Sequence, residues 1–190
     1  EATVNGLTYV FGTGGLHASV EGEYLEATDT MVIESKDVTS LYPSIAIEQG
    51  YYPQHLGPKF VEVYRDLRTK RVSYKKGTAQ NAMLKLALNG VYGASNDKFS
   101  VFFDPLFTLK ITIGGQMMIA MLIDRLVNVP TLKMKMTNTD GFEYTIHPDH
   151  VDIANAVCAE WEKLTRLTLE SVRYKKMAIR DCNNYLAVGV

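Results

Sequence analysis

Two acidic residues, Asp37 and Asp140, are the side chains of this sequence best suited to hold a divalent cation. Asp37 ends a β-branched run and begins the nine-residue stretch Asp-Val-Thr-Ser-Leu-Tyr-Pro-Ser-Ile. Asp140 lies in Asn-Thr-Asp-Gly, and alternating apolar and polar residues on both sides predict a β-hairpin with a tight turn. Carboxylate oxygens are the ligands that Mg²⁺ prefers. The pattern therefore predicts a metal site if the two acids meet across adjacent strands.

The backbone after Asp37 is suited to bind phosphate. Proline is preorganised for the first turn of a helix, so the amides near Ser40, Leu41 and Tyr42 remain available as donors. The N-terminus of a helix favours anions. Taken alone, the stretch fits equally well a strand-to-helix turn with an ordinary acidic residue. Residues further along the chain are needed to choose between the two interpretations.

A polar stripe marks a predicted helix from about residue 79 to 92. Lys85, Asn89 and Tyr92 are spaced by four and three residues and share one face, with Asn81 one turn earlier. The rest of the circumference is largely apolar. A polar stripe on such a helix is costly unless it faces water or a ligand. We expect this face to contact a ligand.

The remaining pattern predicts an α+β fold in which an antiparallel sheet has helices on one face. Phe60, Val63, Tyr64 and Leu67 recur at helical spacing, and a break at Lys76-Gly-Thr then predicts an αα-hairpin. The other predicted strands cover residues 30–38, 99–103, 168–176 and 185–190, with a hairpin over 132–146 and a loop over 50–58. Two further helices are predicted, one over 106–127 and one that begins at residue 148. The apolar face of the second of these consists of Ile153, Ala154, Val157, Trp161 and Leu164.

Composition excludes several classes of protein. The 190 residues are 46% apolar, which argues against disorder, and no uninterrupted apolar run approaches the ~18 residues of a membrane span. Cys158 and Cys182 lie outside any C-x-x-C spacing, so they indicate neither a zinc site nor a disulfide framework and fit a reducing compartment. The net charge of −1 argues against a polyanion-coating surface, although basic residues concentrate between Lys59 and Lys85. The first residue is not Met, which suggests a piece of a longer protein.

The glycines of Phe11-Gly-Thr-Gly-Gly-Leu-His do not form a dinucleotide fingerprint, because His17 stands where the last glycine would be needed. Glycine also permits close approach of two backbone segments. We expect such an approach here.

The sequence resembles family B DNA polymerases in three ordered motifs. Asp37-Val-Thr-Ser-Leu-Tyr-Pro-Ser is similar to their motif A, D-x-x-S-L-Y-P-S, at every named position. Lys85-x₃-Asn89-x₂-Tyr92-Gly93 is similar to motif B, K-x₃-N-x₂-Y-G. These two motifs are specific in both residue type and spacing.

The third motif departs from the family pattern. Asn138-Thr-Asp140-Gly141 resembles motif C, D-T-D-S, but has an amide in place of the first acid and glycine in place of serine. This variant is most similar to bacteriophage members, and Glu170 with Lys175 and Lys176 resembles the stretch that ends the palm. The first acid of motif C is secondary in the family, so we expect activity to survive Asn138.

The resemblance implies an architecture. Residues 1–55 and 94–190 would form a polymerase palm, and residues 56–93 would form the fingers as a helical hairpin. It also implies that the exonuclease and thumb domains of most relatives are missing from this sequence, and that the protein acts in the cytoplasm of a phage-infected bacterium.

The resemblance further implies DNA-directed DNA synthesis with two Mg²⁺ ions, for which Mn²⁺ could substitute. Asp37, Asp140 and the Val38 carbonyl would bind metal. Backbone amides of Ser40 and Leu41 would hold phosphates, Lys85 would act on the leaving pyrophosphate, and Arg68 would be a second phosphate contact.

The same resemblance implies how substrates are selected. Tyr42 would lie under the sugar and disfavour a 2′-hydroxyl, while Asn89, Tyr92 and Gly93 would line the pocket of the nascent base pair. The partners would be primer-template DNA and a dNTP. An alternative is a non-catalytic nucleic-acid-binding or scaffold fragment; a reverse transcriptase or primase palm is a third, although the paired acids of reverse transcriptases are absent from the hairpin turn.

Overall fold

Every strand of the protein lies in the first of two units into which the chain divides. The computed structural model describes residues 1–190. The first unit comprises residues 1–39 and 116–190, and the second comprises residues 40–115. These boundaries differ from those expected for palm and fingers, so the assignment of those names to segments stays a prediction.

The first unit is built on a sheet of nine strands, all paired antiparallel, in the order β1-β2-β3-β6-β7-β5-β8-β4, with β9 also pairing with β8. The strands are β1 (Ala2–Val4), β2 (Leu7–Phe11), β3 (Leu16–Ser19), β4 (Glu23–Glu26), β5 (Val32–Val38), β6 (Lys133–Asn138), β7 (Gly141–Ile146), β8 (Leu169–Asp181) and β9 (Asn184–Gly189). Together with five α-helices, this sheet confirms the predicted α+β class and fits a polymerase palm fold.

The sheet curls enough for strands that are not neighbours to share a core. Met136 of β6 and Ile179 of β8 belong to one buried cluster with Leu25, Ile33 and Met177. The strands β7 and β5 lie between β6 and β8 in the sheet order. The curl therefore brings the end of the β6–β7 hairpin towards the β8–β9 turn.

Helix α5 (Val151–Thr165) belongs to the first unit and follows a 3₁₀ turn over Pro148–His150. Trp161 is fully buried and its indole N–H donates to the Met118 carbonyl at 2.8 Å. The predicted apolar face is wrong at Ile153 and Leu164, whose exposed fractions are 45% and 62%. The buried face instead follows residues spaced by three and four from Val151, namely Ala154, Cys158, Trp161 and Thr165.

The second unit is helical. It contains α1 (Leu41–Glu48), α2 (Lys59–Ser73), α3 (Ala79–Ala94) and the first part of α4 (Pro105–Leu126), with a 3₁₀ turn over Gln54–Leu56. Helices α2 and α3 form the predicted αα-hairpin. The buried Tyr64 hydroxyl of α2 donates to the Leu88 carbonyl of α3 at 2.6 Å, and the Phe60 ring lies 5.7 Å from that of Phe107.

The strand predicted over residues 99–103 is wrong. This segment forms turns, in which the Ser100 N–H donates to the Asp97 carbonyl at 2.9 Å and the Phe103 N–H to the Ser100 carbonyl at 3.1 Å. The Asp97 side chain also accepts from the Phe99 N–H at 3.0 Å. Local hydrogen bonds to Asp and Ser thus replace the strand pairing that an aromatic and β-branched run favours.

Helix α4 has the length and the composition of a membrane-spanning helix, although polar residues interrupt its apolar sequence. Its 22 residues include a window with mean hydropathy 1.7, and 44% of that window is buried inside the protein. A core helix meets the same criterion.

Candidate active site

Strand β5 positions Asp37 at the centre of the sheet. Asp37 pairs with Gly141 of β7 on one side and with Glu170 of β8 on the other. The next residue, Val38, donates its N–H to the Asp140 carbonyl at 2.7 Å. The fold therefore places Asp37 beside the turn that carries Asp140, as the metal hypothesis requires, and the role of the two acids as ligands stays a prediction.

Asp140 lies in a two-residue turn that the backbone holds from both sides. Asn138 pairs with Gly141 across the turn, and Thr139 between them has a left-handed φ of 60°. The Thr139 N–H donates to the Leu16 carbonyl of β3 at 2.9 Å. With the Val38 bond on the other side, the Asp140 turn is fixed to both β3 and β5.

Two glycines allow these segments to come so close. A Cβ at Gly15 would lie 2.5 Å from Thr139 Oγ1, which confirms the close approach expected of the glycine-containing stretch. A Cβ at Gly141 would lie 3.0 Å from Asp37 Oδ1 and 3.1 Å from the Lys36 carbonyl. Gly141 thus leaves a crowded position beside Asp37 without a side chain.

Asn138 uses its amide within the protein. Its Nδ2 donates to the Cys182 carbonyl at 3.0 Å and to Asn183 Oδ1 at 3.3 Å. Its Oδ1 accepts from the Thr139 hydroxyl at 3.4 Å. Asn138 therefore joins the Asp140 turn to the β8–β9 turn.

Sequence reasoning missed Glu143. This acid is buried on β7, where it pairs with Ser35, and its Oε1 accepts from the Ser35 hydroxyl at 3.0 Å. Burial raises the pKa of Glu143 to about 7, and the negative charges of Asp37 and Asp140 add to the increase while the Ser35 hydrogen bond opposes it. The signal in the sequence was a single acid within the otherwise uncharged strand from Phe142 to Ile146.

Two further residues border the acids. Glu170, opposite Asp37, accepts from the Thr39 hydroxyl at 3.1 Å. Burial raises the pKa of Tyr185, at the start of β9, and the charges of Glu143, Asp37 and Asp140 contribute to that increase. The Tyr185 hydroxyl thus lies within the field of the same carboxylates.

The opposite face of β5 carries a buried ion pair that fixes the strand. Lys36 and Glu34 are 4% and 3% exposed, with Lys36 Nζ 3.9 Å from Glu34 Oε1. The Lys36 ammonium also donates to Asn155 of α5 at 2.9 Å and to Ser171 of β8 at 2.7 Å. These bonds attach β5 to a helix and to a neighbouring strand, immediately before Asp37.

The donor chemistry fits Mg²⁺, although the protein has no group of three or more His, Cys, Asp or Glu side chains placed to hold a metal ion. Mg²⁺ takes hard oxygen ligands and retains several waters, so one or two carboxylates with substrate phosphates suffice. Asp37, Asp140 and the Val38 carbonyl offer such oxygens. Glu143, whose pKa of about 7 leaves it partly protonated at neutral pH, adds less than a full negative charge there.

In the second unit, Ser40 immediately precedes α1 and has a left-handed φ of 53°. Leu41 is the first residue of α1 and is buried, so the backbone N–H groups here lie at a helix N-terminus. The Ser40 hydroxyl accepts a hydrogen bond from the Arg71 guanidinium, whose Nε is buried without a hydrogen-bond partner. Arg68, the arginine that the sequence predicted as a phosphate contact, stays a prediction.

Tyr42 and Tyr92 stack on each other within the second unit. Their ring centroids are 3.9 Å apart with an interplanar angle of 18°. The Tyr92 hydroxyl is 2.7 Å from Thr112 Oγ1. Stacking and the hydroxyl contact restrict both rings.

The other residues predicted on the helical hairpin divide by exposure. Lys85, Asn89 and Gly93 are exposed on α3. Arg68 forms an ion pair with Glu48 at 3.0 Å. Asn81 was wrongly placed on the ligand-facing stripe, since it is buried and its amide donates to the carbonyls of two residues at the end of the α2 segment, Arg71 and Tyr74.

Comparison with known proteins supports the fold. No protein family model matches the sequence, and no curated protein matches it. The structure is similar to that of the family B DNA polymerase from the hyperthermophilic archaeon Pyrobaculum calidifontis, with a TM-score of 0.58 and 12% sequence identity. The match covers 90% of this chain and 28% of the polymerase chain. At this identity the likeness shows the fold alone, and it extends over 28% of the polymerase chain.

Proposed function

We propose that this chain is the palm and fingers region of a DNA-directed DNA polymerase, which transfers dNMP from a dNTP to a primer 3′-OH and releases pyrophosphate. The observation that carries the proposal is the position of Asp37 beside the turn that carries Asp140: Asp37 pairs with Gly141, and the Val38 N–H is bonded to the Asp140 carbonyl at 2.7 Å. The fold similarity makes nucleotidyl transfer the reaction class to test first.

In this proposal Asp37 and Asp140 hold divalent ions together with the Val38 carbonyl. Two bound Mg²⁺ ions would supply activation of the 3′-hydroxyl and charge neutralisation on the triphosphate, and Mn²⁺ would substitute. Strand β5 contributes by fixing Asp37, because Lys36 on its opposite face is bonded to Asn155 and Ser171.

The residues of the second unit are proposed to bind the nucleotide. The amides of Ser40 and Leu41 at the start of α1 would donate to phosphate oxygens, and Lys85 would provide a mobile positive charge and a proton for the departing pyrophosphate. Arg68 is partly neutralised by Glu48, so we add Arg71, which is bonded to Ser40, as a phosphate-binding candidate.

Selection of the substrate is proposed to rest on the restrained aromatic pair. The ring of Tyr42, stacked at 3.9 Å on Tyr92, would exclude a 2′-hydroxyl by its bulk. Asn89 and Gly93 would border the nascent base pair. Packing of this kind discriminates by about 1–3 kcal/mol per contact. The natural setting would be the cytoplasm of a phage-infected bacterium.

Primer extension with labelled dNTPs and Mg²⁺ tests the proposal. We expect the parent chain to extend a primer and Asp37→Ala and Asp140→Ala each to lose about 100-fold or more, the scale on which removal of one electrostatic group acts in catalysis. Asp29→Ala, which removes an exposed acid from a turn, is the matched control and should extend normally. Extension by Asp37→Ala at the parental rate would contradict the mechanism.

A binding function without catalysis is the second candidate, because the chain matches only 28% of the similar polymerase chain. Its partner would be primer-template DNA. Fluorescence anisotropy with labelled primer-template separates the two candidates. Binding with no extension in either Mg²⁺ or Mn²⁺ would favour the non-catalytic module.

A further inference from the structure

The Asp140 turn is tied to the β8–β9 turn by a side chain for which an acid could not substitute. Asn138 Nδ2 donates to the Cys182 carbonyl at 3.0 Å. A backbone carbonyl only accepts hydrogen bonds, so the nitrogen of the Asn138 amide must face it. The orientation of this amide is therefore fixed by chemistry.

The β8–β9 turn is preorganised to receive the Asn138 amide. Asp181 Oδ1 accepts from the Asn183 N–H at 2.9 Å and from Asn184 Nδ2 at 2.8 Å. Asn183 Oδ1 in turn lies 3.3 Å from Asn138 Nδ2. Two acceptors, one of them a rigid main-chain atom, thus converge on a single amide.

The connection spans the curl of the sheet. β6 and β8 are separated by two strands in the sheet order, so no ladder hydrogen bond joins the two turns. The bonds from Asn138 to Cys182 and Asn183 link them directly. Asp140 is two residues from Asn138, and Tyr185 is two residues from Asn183.

We propose that Asn138 is a positioning residue, whose amide holds the turn carrying Asp140 against the turn that leads to Tyr185. A carboxylate at this position would set a negative oxygen against two acceptors and separate the turns. The substitution Asn138→Asp, which restores the family's acid, should therefore weaken the site. The consequence for catalysis rests on the proposed polymerase function, whereas the consequence for the turns does not.

Amide hydrogen exchange tests the turns without requiring activity. In Asn138→Asp at pH 7.5 we expect the protection factors of the Thr139 N–H and Asn183 N–H to fall about tenfold, since local opening becomes easier. Protection in the centre of β5 should be unchanged.

Two further variants complete the experiment. Asn138→Ala loses the bonds but adds no charge, so its loss of protection should be smaller than that of Asn138→Asp. Asn128→Asp is the matched control, because the Asn128 amide also donates to a backbone carbonyl, that of Asp124 at 2.7 Å, on an exposed helix end. Its protection at the two turns should equal that of the parent.

Steady-state primer extension gives the second readout. Removal of groups that orient metal ligands typically costs about 10–100-fold in activity, so we expect kcat of Asn138→Asp to fall about tenfold or more with little change in KM for dNTP. Unchanged protection at Thr139 and Asn183, or a kcat above that of the parent, would overturn the proposal. If the parent chain extends no primer, the proposed function fails, and hydrogen exchange alone still decides whether Asn138 holds the turns.

Discussion

Gly15→Ala should destabilise the protein through the Asp140 turn. The added Cβ would lie 2.5 Å from Thr139 Oγ1, 2.9 Å from Thr139 Cβ and 2.9 Å from Thr139 Cγ2. Rotation of the Thr139 side chain can bring its hydrogen to only one of the two positions that the hydroxyl and methyl occupy, so one of those contacts remains, and the Cβ atom moves only with the backbone. The turn itself must therefore shift.

The expected cost is about 1–3 kcal/mol in the free energy of unfolding, the range measured when a packed site receives an extra methyl group. Displacement of the backbone would also lengthen the 2.9 Å bond from the Thr139 N–H to the Leu16 carbonyl. Urea unfolding followed by circular dichroism measures the cost. Gly14→Ala is the matched control, because a Cβ there meets nothing within 4 Å.

A double-mutant cycle identifies the contact. Thr139→Gly removes every atom that the new methyl would meet and also relieves a left-handed φ that costs a residue with a Cβ about 1–2 kcal/mol. Gly15→Ala combined with Thr139→Gly should recover most of the lost stability, with a coupling energy of about 1 kcal/mol or more. Additive effects of the two substitutions, or equal costs for Gly15→Ala and Gly14→Ala, would refute the reasoning.

Two further predictions concern buried polar groups. The raised pKa of Glu143, about 7 against an ordinary 4.5, means that the folded state holds a proton more tightly than the unfolded state, so this group's contribution is present below about pH 4.5 and is lost as pH rises to about 7. The loss in the free energy of unfolding is on the order of 3 kcal/mol. In urea unfolding with a chelator present, Glu143→Gln should be as stable as the parent near pH 4.5 and more stable than the parent at about pH 8. An identical pH dependence of stability in both proteins would contradict this. Asn81→Ala should cost about 1–3 kcal/mol, because it leaves the Arg71 and Tyr74 carbonyls without the donor that joins the two helices of the hairpin. Thermal unfolding beside the exposed control Gln80→Ala measures this, and equal costs would show that the Asn81 bonds contribute nothing.

The buried polar residues around the acids show why local sequence patterns identify only part of a site. Asp37 and the Asp140 turn were recognisable, since each stands at the end of a regular pattern within a few residues. Glu143 was not recognisable from the sequence, because its environment depends on Ser35, which is 108 positions away. Asn138 was interpreted as a lost metal ligand, and only its bonds to Cys182 and Asn183 indicate a different role.

In the helical hairpin, too, the sequence pattern left part of the structure undecided, namely which face of α3 is buried. Spacing placed Asn81 on the stripe of Lys85 and Asn89, because periodicity defines neighbours on one helix but not which side another helix covers. The structure buries Asn81 against the end of α2. Arg68 and Arg71 lie in the same run of basic residues, so the sequence alone does not distinguish them. In the structure Arg71 is bonded to Ser40 and Arg68 to Glu48.

The sequence by itself determined the α+β class, the hairpin that carries Asp140, the αα-hairpin and the two acids most suited to a metal. These features arise from periodicity and turn chemistry, which act over a few residues. Only the tertiary structure decided that Asp37 lies beside the turn that carries Asp140, that Glu143 is buried near them, and that the amide of Asn138 spans the curled sheet. The Ser35–Glu143 contact spans 108 positions in the sequence and the Asn138–Cys182 contact spans 44, and no local interaction between neighbouring residues specifies such contacts.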